Sequence, residues 1–221
     1  EDLSARLANL DPQHLFRQTY QETLVREFGR GIARWQSDRP VTITFSIGGA
    51  GAQKQLAYQV LQSLRTLLLQ KRLRLTLEVG THADLYTFFK HAARNLGLSK
   101  VLGQSLRIHF HHDRETYFKE FTKVLHTTDI LWTKPSELSF YTGLGLPIIM
   151  APPVGSQEEY NKAWLEAIGG GIAQQDPRYT HEWLMDWIDS GALARLAWSG
   201  YIEAPTHGTH RIESIITGTE I

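Results

Sequence analysis

Cysteine is absent from the 221 residues, which excludes disulfides and thiolate metal sites and sets the expectation of a reducing, cytoplasmic location. Net charge is also absent. The 23 Lys and Arg balance 23 Asp and Glu, so nothing marks the chain for a polyanion such as nucleic acid. No apolar run approaches the roughly 20 residues of a membrane span, and the start carries no secretory-signal pattern. Glu1 stands where a Met would open a gene product, so the chain is expected to be a piece of something longer.

What is present is an alternation of strand-like and helix-like segments. Residues 1–40 are polar and helical in character, with Phe16, Tyr20, Leu24, Phe28 and Ile32 recurring every four residues until Arg39-Pro40 breaks the stripe. VTITFSI (41–47) is rich in β-branched residues and predicts a strand. Further strands are predicted at 73–79, 105–110, 129–132 and 146–150, with helices between them and GGGIAQQ as a loop or short strand. Read as near-continuous apolar strands joined by helices, the pattern predicts an α/β, Rossmann-like, doubly wound parallel sheet covered on both faces. Residues 1–40 form a helical N-terminal segment or linker in this reading, and 41–221 the domain proper.

Every polar or glycine-rich cluster follows a strand: GGAGAQ, GTHAD, HHDRE, TKPSE and PPVGSQEE. Open α/β sheets bind ligands beyond the carboxyl ends of their strands. GGAGAQ (48–53) joins a strand to a helix and suits close backbone approach to a phosphate, though it is neither a GxGxxG nor a P-loop motif. HFHHD (109–113) invites a metal reading but lacks a helical HExxH or a second ligand cluster, so no metal or other cofactor is expected. PTHGTH (205–210) is expected to be loop. Ser136 and Ser156 are candidate N-caps, with Lys134 and Glu137 at the start of a helix near 136–144. Gln157 and Asn161 share one helix face, where an amide pair beside Glu158 can grip sugar hydroxyls.

The order of these features, and above all TDILWTKPSELSFYTGLGLPIIMAPPVGSQEEYN with GGAGAQ ahead of it, resembles the C-terminal, donor-binding half of GT-B glycosyltransferases over about Val41 to Ile172. The nearest families in this resemblance are the lipid-linked N-acetylglucosaminyltransferase of peptidoglycan synthesis and the monogalactosyldiacylglycerol synthases. The resemblance implies that Gly48, Gly49, Ala50 and Gly51 lie against donor phosphates, and that Ile108, His109, Phe110 and His111 hold the base edge, largely through backbone groups. It implies that Ser136, Glu137, Leu138 and Ser139 face the diphosphate, and that Gln157 and Glu158 reach the sugar with Asn161 in support. The implied substrate is a nucleotide-diphosphate sugar, usually of uridine, whose hexosyl group passes to an acceptor hydroxyl.

Two departures shape the expectation. The glutamate that usually binds the ribose falls at Phe140, and a serine common after the glycine pair is Ala50. The acceptor side and catalytic base belong to an N-terminal domain that residues 1–40 cannot build, so no catalytic residue is assigned here. A missing domain or partner chain is expected, with peripheral membrane association through that half. The alternatives are a non-catalytic nucleotide-sugar-binding or scaffolding module and a fragment of a GT-B-fold nucleotide-sugar epimerase.

Overall fold

The computed structural model describes residues 2–30, 39–47, 53–136, 138–205 and 208–218. Three short helices open the chain: α1 (Asp2–Asn9), α2 (Leu15–Thr19) and α3 (Gln21–Phe28). The four-residue stripe is interrupted at Tyr20, whose φ of −110° ends α2 before α3 begins. Phe16 and Leu24 are fully buried, whereas Ile32 lies outside the described residues. Leu3, Leu7 and Leu10 join Phe16 and Leu24 in the main core, so this segment folds onto the sheet domain.

Six strands follow: β1 (Val41–Ser46), β2 (Leu73–Glu78), β3 (Leu106–His109), β4 (Ile130–Thr133), β5 (Ile148–Met150) and β6 (Gly171–Ala173). They form one sheet in the order β3-β2-β1-β4-β5-β6, and every neighbouring pair is parallel. This is the doubly wound Rossmann-like order, with its switch point between β1 and β4. The connecting helices are α4 (Lys54–Ser63), α5 (Arg65–Leu69), α6 (Ala83–Asn95), α7 (Arg114–Thr127), α8 (Ser139–Gly143) and α9 (Ser156–Ala167). Beyond β6 come α10 (Thr180–Asp189), α11 (Ala192–Glu203) and α12 (Gly208–Thr217). Gly208 to His210 of the PTHGTH stretch therefore belong to a helix, a correction to the loop expectation.

The two faces of the sheet are built differently. Register pairs Val41, Ile43 and Phe45 with Leu73, Leu75 and Leu77, and the last two with Leu106 and Ile108. Paired residues in a parallel sheet point the same way, so this face is apolar across β1–β3 and holds the main core. On the opposite face the same strands carry Thr42, Thr44 and Ser46, then Arg74, Thr76 and Glu78, then Arg107 and His109. Farther along that same face, β4 and β5 return to apolar residues. Leu131, Ile148 and Met150 form a second cluster with Phe121, Leu125, Leu138, Leu146 and Leu165. The expectation of apolar strands on both faces thus holds for β4–β5 and fails for β1–β3. There LRLTLE alternates with period two, and the polar side is covered as well, with Thr76 and Glu78 buried.

The seam between these halves is tied by a buried ion-pair network. Asp129 accepts from both terminal nitrogens of Arg39 at 2.6 Å each, from Asn9 Nδ2 at 2.6 Å and from the Thr42 N–H at 2.8 Å. Burial pushes the Asp129 carboxyl up from its usual range, and the Arg39 guanidinium opposes that shift. Arg6 donates to the Thr128, Leu144 and Gly145 carbonyls. Its burial lowers the guanidinium to about 10.

Candidate functional site

The carboxyl edge of the sheet is where the strand exits gather. Beyond β1, residues 48–52 lie outside the described residues, and with them Gly48, Gly49, Ala50 and Gly51. The β2 exit runs from Glu78 through Gly80, which takes a φ of +59°, to Thr81 and His82. A cavity of about 350 Å³ opens there, bounded on its far side by Arg114, Tyr117 and Phe118 of α7.

The β3 exit places Ile108, His109, Phe110 and His111 along one groove of about 730 Å³, facing Glu120, Lys123, Val124 and Thr127 of α7. Beyond the β2–β3 ladder, the His109 carbonyl accepts from the Val79 N–H, and the His111 N–H donates to the Gly80 carbonyl. Phe110 makes no backbone hydrogen bond among the described residues, and its ring packs 5.6 Å from Tyr86. Opposite, Lys123 pairs with Glu120 at 2.7 Å, which lowers the Glu120 carboxyl. Asp113 caps α7 by accepting from the Thr116 N–H at 2.8 Å and its hydroxyl at 2.9 Å, and its carboxyl is lowered accordingly.

The sequence-based reading did not single out Glu78, although it lies beside this groove. It is the last residue of β2, paired in register with Ser46 on one side and His109 on the other. Its carboxylate is only 1% exposed. Oε2 stands 3.4 Å from His109 Nδ1, and Oε1 stands 3.3 Å from His111 Nε2. The alternation in LRLTLE, ending on a charge at a strand exit, was the available signal.

Across the switch point, the β4 exit meets α9. Lys134 donates to Glu158 Oε1 at 2.8 Å, and the Val154 N–H donates to Glu158 Oε2 at 2.7 Å. The Lys134 ammonium holds the Glu158 carboxyl below its ordinary value. Asn161 Nδ2 donates to the Pro135 and Ser136 carbonyls, both at 3.0 Å. Glu158 and Asn161 therefore fasten the β4–α8 loop to α9. Ser136, Leu138, Ser139 and Asn161 border a cavity of about 620 Å³ together with Phe140 and Trp164. Gln157 is exposed on the first turn of α9, and Glu137 lies outside the described residues.

Helix starts here need three corrections. α8 begins at Ser139, behind Leu138, so neither Lys134 nor Ser136 starts or caps it. At five residues it is too short to carry much of a helix dipole. α9 starts at Ser156, with Gly155 at φ +139° in the cap position, a residue with no side chain to cap with, while the Glu158 carboxylate reaches back to the Val154 N–H. Among the described residues, no group of three His, Cys, Asp or Glu side chains is arranged to hold a metal ion. Nor is any helix among them long and apolar enough to cross a membrane.

Residues 14–127, just over half the chain, match a protein family described as a domain of unknown function, DUF6938. The chain belongs to that family. No curated protein matches it. Among solved structures it is similar to the crystal structure of WaaG, a glycosyltransferase involved in lipopolysaccharide biosynthesis. The TM-score is 0.56 at 17% identity, covering 89% of this chain and 50% of that one. At this identity the likeness is one of fold, and the DUF6938 chain spans half the length of its structural neighbour.

Proposed function

We propose that this chain is the donor-binding half of a GT-B glycosyltransferase. It binds a nucleotide-diphosphate sugar, with a uridine nucleotide as the first candidate, for hexosyl transfer to an acceptor hydroxyl. The observation that carries the reading is that the segments named by the resemblance open on one edge of the sheet. The β3 exit, the β4–α8 loop and the start of α9 all open there, on either side of the β1–β4 switch point. The fold likeness to half of a glycosyltransferase supports it.

In this reading the base lies along Ile108–His111, and the diphosphate lies across the switch point against Gly48–Gly51 and the backbone of Ser136–Ser139. The sugar lies toward Gln157 and Glu158, with Asn161 holding the loop that borders it. β3 and β5 are four strand spacings apart, roughly 19 Å, which suits an elongated ligand rather than a compact one. Transfer is a displacement at the anomeric carbon: the acceptor oxygen forms the new bond, and the nucleotide diphosphate leaves with the electron pair of the old one. Backbone N–H groups fixed around the diphosphate stabilise that leaving charge. The acceptor and its base come from a second domain or partner chain, so this chain alone transfers no sugar.

A second reading, a non-catalytic nucleotide-sugar-binding module, draws on Phe140. The side chain is 66% exposed where the resembling families place a ribose-binding glutamate. Calorimetric titration with UDP-sugars and their nucleotides tests the proposal. Binding is expected in the parent, and Gln157→Ala should weaken the nucleotide sugar by about 1–3 kcal/mol while sparing the nucleotide. No binding of any nucleotide sugar, even beside an acceptor domain, would remove the donor reading. Binding without turnover in that assembly would favour the module.

A further inference from the structure

We infer that Glu78 is the positioning residue of the base-edge segment. It orients the His109 and His111 imidazoles, and through them the backbone of Ile108–His111 that the donor reading assigns to the base. The inference rests on that reading and names a residue to which neither the resemblance nor the fold likeness gives a role.

The β2 and β3 register puts Glu78 and His109 side by side at the carboxyl edge, with side chains on the same face. His111 lies two residues on, where its backbone N–H is held by Gly80. Each carboxylate oxygen of Glu78 faces one imidazole nitrogen, Oε2 at 3.4 Å from His109 Nδ1 and Oε1 at 3.3 Å from His111 Nε2. Neither contact is aligned as a hydrogen bond, so both oxygens and His111 Nε2 are buried without a hydrogen-bond partner among the described residues. A buried carboxylate without donors is costly. Two groups within about 3.4 Å are able to relieve that cost, the ring N–H groups of His109 and His111, both on the base-edge segment. A small rotation of either ring aligns the pair, and a base docked against the segment supplies the force for it, since such contacts often tighten only in the complex.

The arrangement also fixes where the protons sit. A carboxylate accepts only, so it selects the tautomers with hydrogen on His109 Nδ1 and on His111 Nε2. The His109 side chain is 28% exposed and lines the groove, and in the tautomer with hydrogen on Nδ1 its Nε2 is left as an acceptor. Such an acceptor suits an N–H on a base edge. A glutamine at position 78 cannot reproduce this. Its amide offers one acceptor and one donor, so one of the two imidazoles must change tautomer or turn away.

The experiment compares the parent with Glu78→Gln and Glu78→Asp. Long-range proton–nitrogen spectra of the histidines are recorded at about pH 8, where ordinary imidazoles are neutral, alongside titrations with UDP and with inorganic pyrophosphate. Expected for Glu78→Gln are a changed ring-nitrogen pattern for His109 or His111 and UDP affinity reduced about tenfold, with pyrophosphate affinity unchanged. Glu78→Asp, which keeps two acceptors, should retain the parent nitrogen pattern. Unchanged ring nitrogens in Glu78→Gln would overturn the inference, as would an equal loss for UDP and pyrophosphate together with a lowered Tm, which is the mark of a purely structural carboxylate. A parent that shows the Glu78-dependent nitrogen pattern but binds neither UDP nor UDP-sugars sinks the donor reading and with it the base-site role. Normal UDP binding with unchanged nitrogens sinks this inference alone.

Discussion

One face of the sheet is two surfaces in one. Over β4 and β5 it presents Leu131, Ile148 and Met150 to α7, α8 and α9, and it is closed by apolar packing. Over β1, β2 and β3 it presents threonines, arginines, Glu78 and His109, and it is covered in part by α7, leaving the groove of about 730 Å³ at the β3 exit. The difference teaches where stability and ligand chemistry are kept. The β4–β5 half uses burial of apolar area, which is non-directional and tolerant of exact placement. The β1–β3 half buries groups that bind only through specific partners, and it does so next to the strand exits.

The contrast breaks most severely at its seam. Asp129→Ala removes the buried carboxylate shared by Arg39, Asn9 and the Thr42 N–H and should cost about 3–5 kcal/mol in urea unfolding. Next in size is a matched pair on the same face. Leu131→Ala in the closed half should cost about 2–5 kcal/mol, while the near-isosteric Thr76→Val in the polar half should stay within about 1 kcal/mol. Equal losses for the two would erase the distinction between the halves.

A smaller effect is expected at β6, where the closed half ends. A Cβ at Gly171 runs into the Leu165 side chain and lies 2.8 Å from the Ile148 carbonyl. Gly171→Ala should therefore lower stability by about 1–3 kcal/mol, visible as a lower Tm. Smallest is the Lys134–Glu158 pair, which a double-mutant cycle should value at about 0.5–1 kcal/mol, as for partly exposed pairs. Glu158 is held below its ordinary value of 4.5, so the coupling is complete above that value and is lost as pH falls through the lowered one. A coupling that persists well below that range would assign the pair no ionic character.

Much of this was legible in the sequence, for physical reasons that differ by element. The runs at 41–47, 73–79, 105–110, 129–132 and 146–150 all became parallel strands, because short strand-like runs alternating with amphipathic helices admit few other solutions. GGGIAQQ left loop and strand open, and its middle is β6, where only glycine fits beside Leu165. The grouping of Ile108–His111, and of Ser136, Leu138 and Ser139 with Asn161, follows from strand exits sharing one edge. Glu78 escaped notice because its partners, His109 and His111, are 31 and 33 residues away, and only the register of β2 against β3 brings them together. The roles of Glu158 and Asn161 as fasteners were equally hidden. A helix-start pattern reads the same whether its side chains face a ligand or the preceding loop.

The most direct test of the donor-site account is amide chemical-shift mapping of the chain titrated with a UDP-sugar. The account predicts saturable shifts at Ile108–His111, Ser136, Leu138, Ser139 and Gln157–Asn161, with the seam around Thr42 and Asp129 unmoved. Absence of saturable shifts, or shifts gathered at the amino ends of the strands, would contradict it.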